Sequence, residues 1–541
     1  VELIAGNQYT FEVKNGLALS AYQPGGFTNL ISFVDYNIGD RYRALLYDIY
    51  TRLPDSWITN NLTKANGMFS GCSNFNNGEI GNTMSKPLKW KINNLTDTSE
   101  MFSGCSNFNQ NIGANDWIVT NCINFKAMFN NCSLLTDNAV VGISGWDTRN
   151  VENMSDMFTN CYDISFSTPG VETWKTNKVT SDDGIARMFK NARYFIEDIG
   201  TKVIDNSYVA WNTSNIKNME EVFYNDISGF FNGDISGWSI DNVLDMSGMF
   251  TGCGSFNRDI NTKVMNNSID GTYIAWDISK VKTMQSLFKG AKDFNQDISK
   301  WNTINVENMR EMFSGCSNFN QDISTKKVQV NPIYVAWDVS NVEDFSSMFE
   351  GATNFNQAIG SWNTKSAKNI SKMFKNAQSF NKNISRRIHI ISNTPPQPDI
   401  SYMAWDVSKV TDMQYTFEGA LNYNNDGGPF EWEIVSISGD KMVGLFKNAK
   451  DFDIDIHSHT SHHEPNVRFW DVSNVTHFDS LFEGATNFNQ DLSGWNTKSA
   501  ISFTAMFKDA STFRQNIDYW FDSSNVLHLQ DISGMFSGAE R

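Results

Sequence analysis

The sequence predicts an α/β solenoid of about sixteen coils, each with one short strand and one short helix, behind a small β-containing N-terminal region. Three observations carry that expectation. A Phe, usually preceded by Met, recurs sixteen times between Phe69 and Phe536. A Trp stands twelve residues before thirteen of these anchors, and no Trp lies outside the repeats. The composition agrees: 16 Trp, 40 Phe and 21 Met stand in a chain that is only 40% hydrophobic, as in a thin core renewed many times. An aromatic content of 13% also sets the chain apart from disordered ones, because it buries enough area to offset the entropy of ordering.

Residues 1–55 show no repeat, and within them Gln8–Lys14 alternates like an edge strand. From 56 to 541 the repeat runs on. Its clearest stretch is Asn305–Gly315, where Val306, Met309, Phe313 and Cys316 are spaced 3, 4 and 3 apart, one face of a short helix. Eight residues before the anchor, 13 of 16 units carry Asn or Ser, read as an N-cap. Two residues after it stands Gly, Asn or Asp, the types that tolerate φ > 0 and stop a helix. The following F-N-Q-D-I-S-x-W, as in Phe488–Trp495, has no helical period and reads as a short extended segment stacked on its neighbours.

The string W-D-V-S-N-V-x-x-M-x-x-M-F-x-G-A-x-x-F-N-Q-D-I-S resembles the BspA-like leucine-rich-repeat surface proteins. Within them it is most similar to the "bacterial surface protein" repeat of roughly 26 residues found in Listeria-like and mycoplasma lipoproteins. The resemblance spans about Ser56 to Arg541. It implies an LRR-like solenoid at a cell surface or outside the cell, engaged in binding or adhesion rather than catalysis. It supplies no ligand.

A net charge of −17 repels phosphates and argues against nucleic acid as a partner. No apolar run approaches the roughly 18 residues of a membrane span. The chain begins at Val1 without an initiator Met, which suggests a processed form or a fragment. No nucleophile elbow, zinc-protease helix or phosphate loop is present, so an enzyme is not expected and no cofactor is implied.

Six of seven Cys, from Cys72 to Cys316, fall three residues after the anchor, where other units carry Ala. They read as small buried thiols. Eighteen of 21 Met lie one or four residues before it and read as core. His457, His459, His462 and His463 are the one metal-like cluster, set in an insertion loop; alternate residues of a strand would let His457 and His459 chelate together. The repeated Asp259, Asp297, Asp322 and Asp491 either face solvent or hold Ca²⁺.

Five insertions fall at one place in the repeat, between the Ile of D-I-S and the next Trp: Thr201–Ala210, Asn261–Ala275, Thr325–Ala336, Arg386–Ala404 and His457–Phe469. A common register puts them on one side. Three residues after the Ile stand Lys202, Lys263, Lys326, Arg387 and His459, and four inserts close with Tyr208, Tyr273, Tyr334 and Tyr402. This basic and aromatic row is the candidate face for a partner, either a protein or an acidic glycan. The alternative is that the cations guard a sheet edge while each Tyr packs its insert down. The last unit ends at G-M-F-S-G-A-E-R without its F-N-Q-D-I-S segment. That suggests a second role: head-to-tail self-association into a surface, virion or extracellular filament.

Overall fold

In the computed structural model the described residues are the strand backbones of Gln8–Val13 and Leu17–Tyr22, and residues 63–539 apart from 74, 76–92, 111, 113–116, 137–142, 166–169, 330–332, 394–396, 462–463 and 524. Strands β1 (Gln8–Val13) and β2 (Leu17–Tyr22) form an antiparallel pair, with Gln8 opposite Tyr22 and Val13 opposite Leu17. The expected N-terminal strand is therefore present, as half of a hairpin. The chain divides into two compact units: Val1–Asp259 with Lys263–Trp276, and Ile260–Thr262 with Asp277–Arg541. Both are built from the same repeat.

That repeat holds almost no helix, and the helix expected over Asn305–Gly315 is absent. Every second N–H there leaves the coil: Met309, Glu311, Phe313 and Gly315 donate to the carbonyls of Asp344, Ser346, Met348 and Glu350 at 2.7–3.0 Å. The intervening N–H groups of Met312, Ser314 and Cys316 close turns onto the carbonyls three residues earlier. In the other unit Ala65, Gly67, Phe69 and Gly71 donate to Asp97, Ser99, Met101 and Ser103 in the same way. A chain of hydrogen-bonded turns repeats its side chains every three to four residues, so it copies the apolar spacing of a helix. Its mark is backbone sign. Two residues before the anchor φ is positive in all sixteen units, through residues as ordinary as Glu311 (φ 56) and Lys372 (φ 57). Two residues after it φ is positive again in every unit but that of Phe223, as at Gly315 (φ 73), which makes the enclosing turns type II. Among the described residues the helical segments are single 3₁₀ turns at Ile143–Gly145, Asn425–Gly427 and Asp518–Phe521.

Two further expectations change for the same reason. The Asn eight residues before the anchor does not cap a helix; Asn305, Asn341 and Asn215 donate through Nδ2 to the carbonyls of Ser279, Ile304 and Asn177. The F-N-Q-D-I-S segment is not a strand. It is held by a ladder of side-chain amides, in which Asn356, Asn381 and Asn424 donate their N–H groups to Oδ1 of Asn320, Asn356 and Asn381. Parallel pairing instead falls on isolated bridges five residues before the anchor, from Asn308 to Asp344, Asn369 and Asp412. Each of these residues also accepts the N–H two positions on, as Asn308 does from Arg310 at 2.9 Å. Such Asx turns start the turn chain.

The core is made of stacked rings. Phe313 lies 4.1 Å from Phe319 in its own repeat and 5.7 Å from Phe349 in the next. The Trp column runs beside it, with Trp337 and Trp362 6.2 Å apart. Burying an indole leaves an N–H to satisfy, and Trp337 and Trp362 donate to the carbonyls of Ile298 and Ile323 at 2.9 Å. All seven Cys are buried thiols, joined in no disulfide. Cys316 Sγ donates to the Phe288 carbonyl at 2.8 Å, and burial pushes its thiol far above the ordinary range. Cys122, buried elsewhere in the repeat, is raised by burial and by Asp97 to about 12.

Candidate binding face

All five insertions fold as antiparallel hairpins, including the His-rich one expected as a loop. They are β3–β4 (Lys202–Ile204 with Tyr208–Ala210), β5–β6 (Lys263–Asn267 with Gly271–Ala275), β7–β8 (Lys326–Val328 with Tyr334–Ala336), β9–β10 (Arg387–Ile391 with Ile400–Ala404) and β11–β12 (His459–Thr460 with Arg468–Phe469). In β9 the order Arg387-Ile388-His389-Ile390 alternates with period two, as a strand with two unlike faces does. The Trp that follows each hairpin has positive φ, 46–53°, at Trp211, Trp276, Trp337, Trp405 and Trp470. Its N–H returns the chain to the repeat, as Trp337 does to the Trp301 carbonyl at 3.0 Å.

The register sorts the side chains. Lys202, Lys263, Lys326 and Arg387 stand opposite Ala210, Ala275, Ala336 and Ala404, and His459 stands opposite Phe469. They share a face with the tyrosines, which turn onto the preceding repeat. The hydroxyls of Tyr208, Tyr273, Tyr334 and Tyr402 donate to the carbonyls of Thr173, Gly237, Lys300 and Ser361, each the residue just before a repeat Trp, at 2.5–3.0 Å. Burial raises all four hydroxyls, Tyr402 to about 12. Each Tyr thus pins its hairpin to the body of its unit.

The cations differ among themselves. Lys263 is paired with Asp259 at 2.8 Å and Lys326 with Asp322 at 2.7 Å, four residues before each. Lys202 and Arg387 are exposed and make no ion pair among the described residues. His459 approaches Glu431 at 3.9 Å and stacks on His457, which meets Asp455 at 2.6 Å. His462 and His463 lie outside the described residues. Asp297 accepts from Asn261 Nδ2 at 2.9 Å and Asp491 from the Ser493 N–H at 2.8 Å. Among the described residues no three His, Cys, Asp or Glu side chains are grouped to hold a metal ion.

The opposite face of the hairpins was not singled out from the sequence. It carries the cross-strand pairs Val203–Val209, Val264–Ile274 and Ile388–Met403, one step beyond each cation. Val264 is 63% exposed and Ile388 68%, with Ile390 beside it also exposed. The signal was available as the apolar residue directly after Lys202, Lys263 and Arg387. Within a unit, polar contacts reach from a hairpin to another hairpin or to the repeat: Asn212 Nδ2, just past β4, donates to Asp270 at 3.2 Å, Lys327 to Asn393 at 2.7 Å, and Arg386 to Glu464.

Stacked turns, ring columns and hairpins at a fixed place in the repeat define a repeat protein with small antiparallel strand pairs. The family whose model matches is described as "Mycoplasma protein of unknown function, DUF285", over residues 48–141, 113–209, 135–263, 326–394, 393–464 and 456–541. These matches cover well over half of the chain, which belongs to that family. No curated protein and no solved structure matches it. No helix among the described residues is long and apolar enough to cross a membrane.

Proposed function

We propose that the chain is a non-enzymatic surface scaffold that binds a protein partner through its hairpins, at a cell surface or outside the cell. The observation that carries this reading is the aliphatic face exposed on β5–β6 and on β9–β10, at Val264, Ile388 and Ile390, whereas the corresponding Val209 of β3–β4 is buried. The fold does not need it: Trp276–Lys300 forms a complete repeat with no hairpin. Exposed Val264, Ile388 and Ile390 are costly to keep in water and contribute nothing to the ring core. Paired cations at Lys263 and Lys326 weaken the case for an acidic glycan. Lys202 and Arg387 supply polar contacts at the rim. The turn-built repeats are read as a variant of the LRR-like coil of BspA-like surface proteins, the resemblance that also suggests location and adhesion.

Adhesion of protein-coated beads to cultured animal cells tests this reading. Val264→Asp with Ile388→Asp and Ile390→Asp is expected to remove most adhesion. Neutralising Lys202, Lys263, Lys326 and Arg387 together is expected to reduce it modestly, and only at low salt. Undiminished adhesion of the aliphatic variant, with its fold intact by circular dichroism, would sink the proposal.

A further inference from the structure

Most repeats keep a polar residue on each side of the second Phe. The first of these positions is apolar at Leu134 and, in two adjacent coils, at Tyr194 and Phe230. Among the described residues the second is apolar at Ile196, so that both break in the coil of Tyr194. The residue just before that Phe is Asn318, Asn354, Ser379, Asn422, Asp451 or Asn487 in the later repeats, but Tyr194 and Phe230 in these two. The residue just after it belongs to the amide ladder, as with Asn320 and Asn356, yet Ile196 stands there. The ladder's side-chain acceptor is thus lost at Ile196, and apolar surface is gained. Tyr194 and Phe230 stack on each other at 5.6 Å, and Phe230 donates its N–H to the Arg193 carbonyl at 3.1 Å. Both rings and Ile196 are exposed, and neighbouring Ile227 is 72% exposed. The change gains one exposed ring stack, but it gives up a rung of the amide ladder and leaves four apolar side chains in water.

The charge around the patch says what covers it. The Arg193 guanidinium lies 5.6 Å from the centroids of both rings, and its Nε is buried without an acceptor. It is the patch's own cation. Against it stand the carboxylates of Asp163, Asp198 and Asp226, all exposed. Asp163 holds, one coil earlier, the position of Tyr194, and Asp226 directly precedes Ile227. Neither Asp163 nor Asp226 has a side-chain partner among the described residues. Apolar surface rimmed by unpaired carboxylates, on a chain of net charge −17, fits a cationic and apolar partner.

We infer that Tyr194, Ile196, Ile227 and Phe230 form a docking surface for a segment of a partner protein that carries Lys or Arg flanked by apolar side chains. The apolar side chains cover Ile227 and the ring edges, and the cation meets Asp163 or Asp226. This surface lies apart from the hairpins in the repeat and stands independently of their role.

Panning a random-peptide display library on the immobilised full chain tests it. Selected peptides are expected to combine Lys or Arg with Leu, Ile or aromatic residues. Their affinity is expected to fall by about tenfold or more when Tyr194→Asn, Ile196→Asn and Phe230→Asn together restore the residues of the other coils. Asp163→Asn with Asp226→Asn is expected to weaken the same peptides and flatten their salt dependence. If the triple variant misfolds, Ile227→Ser, which alters only an exposed side chain, takes its place. Peptides without a basic residue, or with undiminished affinity for the variants, would overturn the inference. So would a glycan-array signal abolished by the triple variant, or a dimer in sedimentation that this variant dissociates, since the occupant would then be a sugar or a second copy.

Discussion

Lys372 holds a φ of 57° with its side chain in water and its N–H bonded to the Gln414 carbonyl at 2.9 Å. A left-handed residue with a Cβ costs roughly 1–2 kcal/mol, and glycine's freedom in the unfolded chain offsets roughly 0.5–1 of that. Lys372→Gly should therefore raise stability by about 0.5–1 kcal/mol in urea titration. Gly252 shows the opposite limit: φ is 72° and a Cβ would stand 1.9 Å from the Asn225 carbonyl oxygen, so Gly252→Ala should cost more than about 2 kcal/mol. Charges between repeats act through pH. Burial would raise Glu483, but Lys447 at 2.7 Å, the Ser480 hydroxyl and Lys508 at 3.1 Å overcome it and hold the carboxyl at about 2. A depressed carboxyl stabilises the fold above its unfolded value, near 4.5. That contribution is lost as pH falls from there towards 2. The stability gap between the native chain and Glu483→Gln should accordingly be constant from pH 7 to about 5 and close below it. A gap that persists at pH 2 would show that Glu483 acts through packing instead.

At the scale of the element, the hairpins are additions to a repeat that is complete without them. Excising Thr325–Val335 would leave Ile323, Ser324, Ala336 and Trp337 in the spacing of Ile298–Trp301. The losses include the Tyr334 hydroxyl bond, the buried Val328, the Thr325 hydroxyl bond to the Trp337 carbonyl, the Lys326–Asp322 pair and the Lys327–Asn393 contact. The excised chain should keep its far-ultraviolet circular dichroism and its cooperative melt, with a midpoint lower by several degrees. Collapse of the near-ultraviolet Trp signal would show that hairpins are part of the coil's support. The hairpins were half legible. Their common position, the cation that opens each and the Tyr that closes four of them could be read from the sequence, but the strand pairing and which face turns inward could not. That depends on whether a tyrosine hydroxyl finds the carbonyl of Thr173, a residue 35 positions away.

At the scale of the whole molecule, each repeat touches mainly its neighbours, so a lesion should spread by proximity. Phe349 stacks at 5.7 Å on Phe313 and Phe374 and at 4.0 Å on Phe355. Phe349→Ala should cost about 3–5 kcal/mol. Hydrogen exchange should quicken first at the amides of Phe313 and Phe349, which bond to neighbouring repeats, while those around Phe482 and Phe507 stay protected. Uniform acceleration throughout the unit containing these residues would argue for one cooperative block.

Sequence periodicity was enough to establish the repeat, its Phe and Trp columns, the buried thiols and the common site of insertion, because burial repeats wherever the chain does. It could not separate a helix from a chain of turns. Val306, Met309, Phe313 and Cys316 fall on one face in either, and no side-chain chemistry marks Glu311 or Lys372 as left-handed. The choice is made between repeats, where Met309, Glu311, Phe313 and Gly315 find the carbonyls of the next coil. Helical bonds would have used up those same N–H groups within the segment. Contacts made by stacking decided the local structure, and with it which side chains the hairpins offer to a partner.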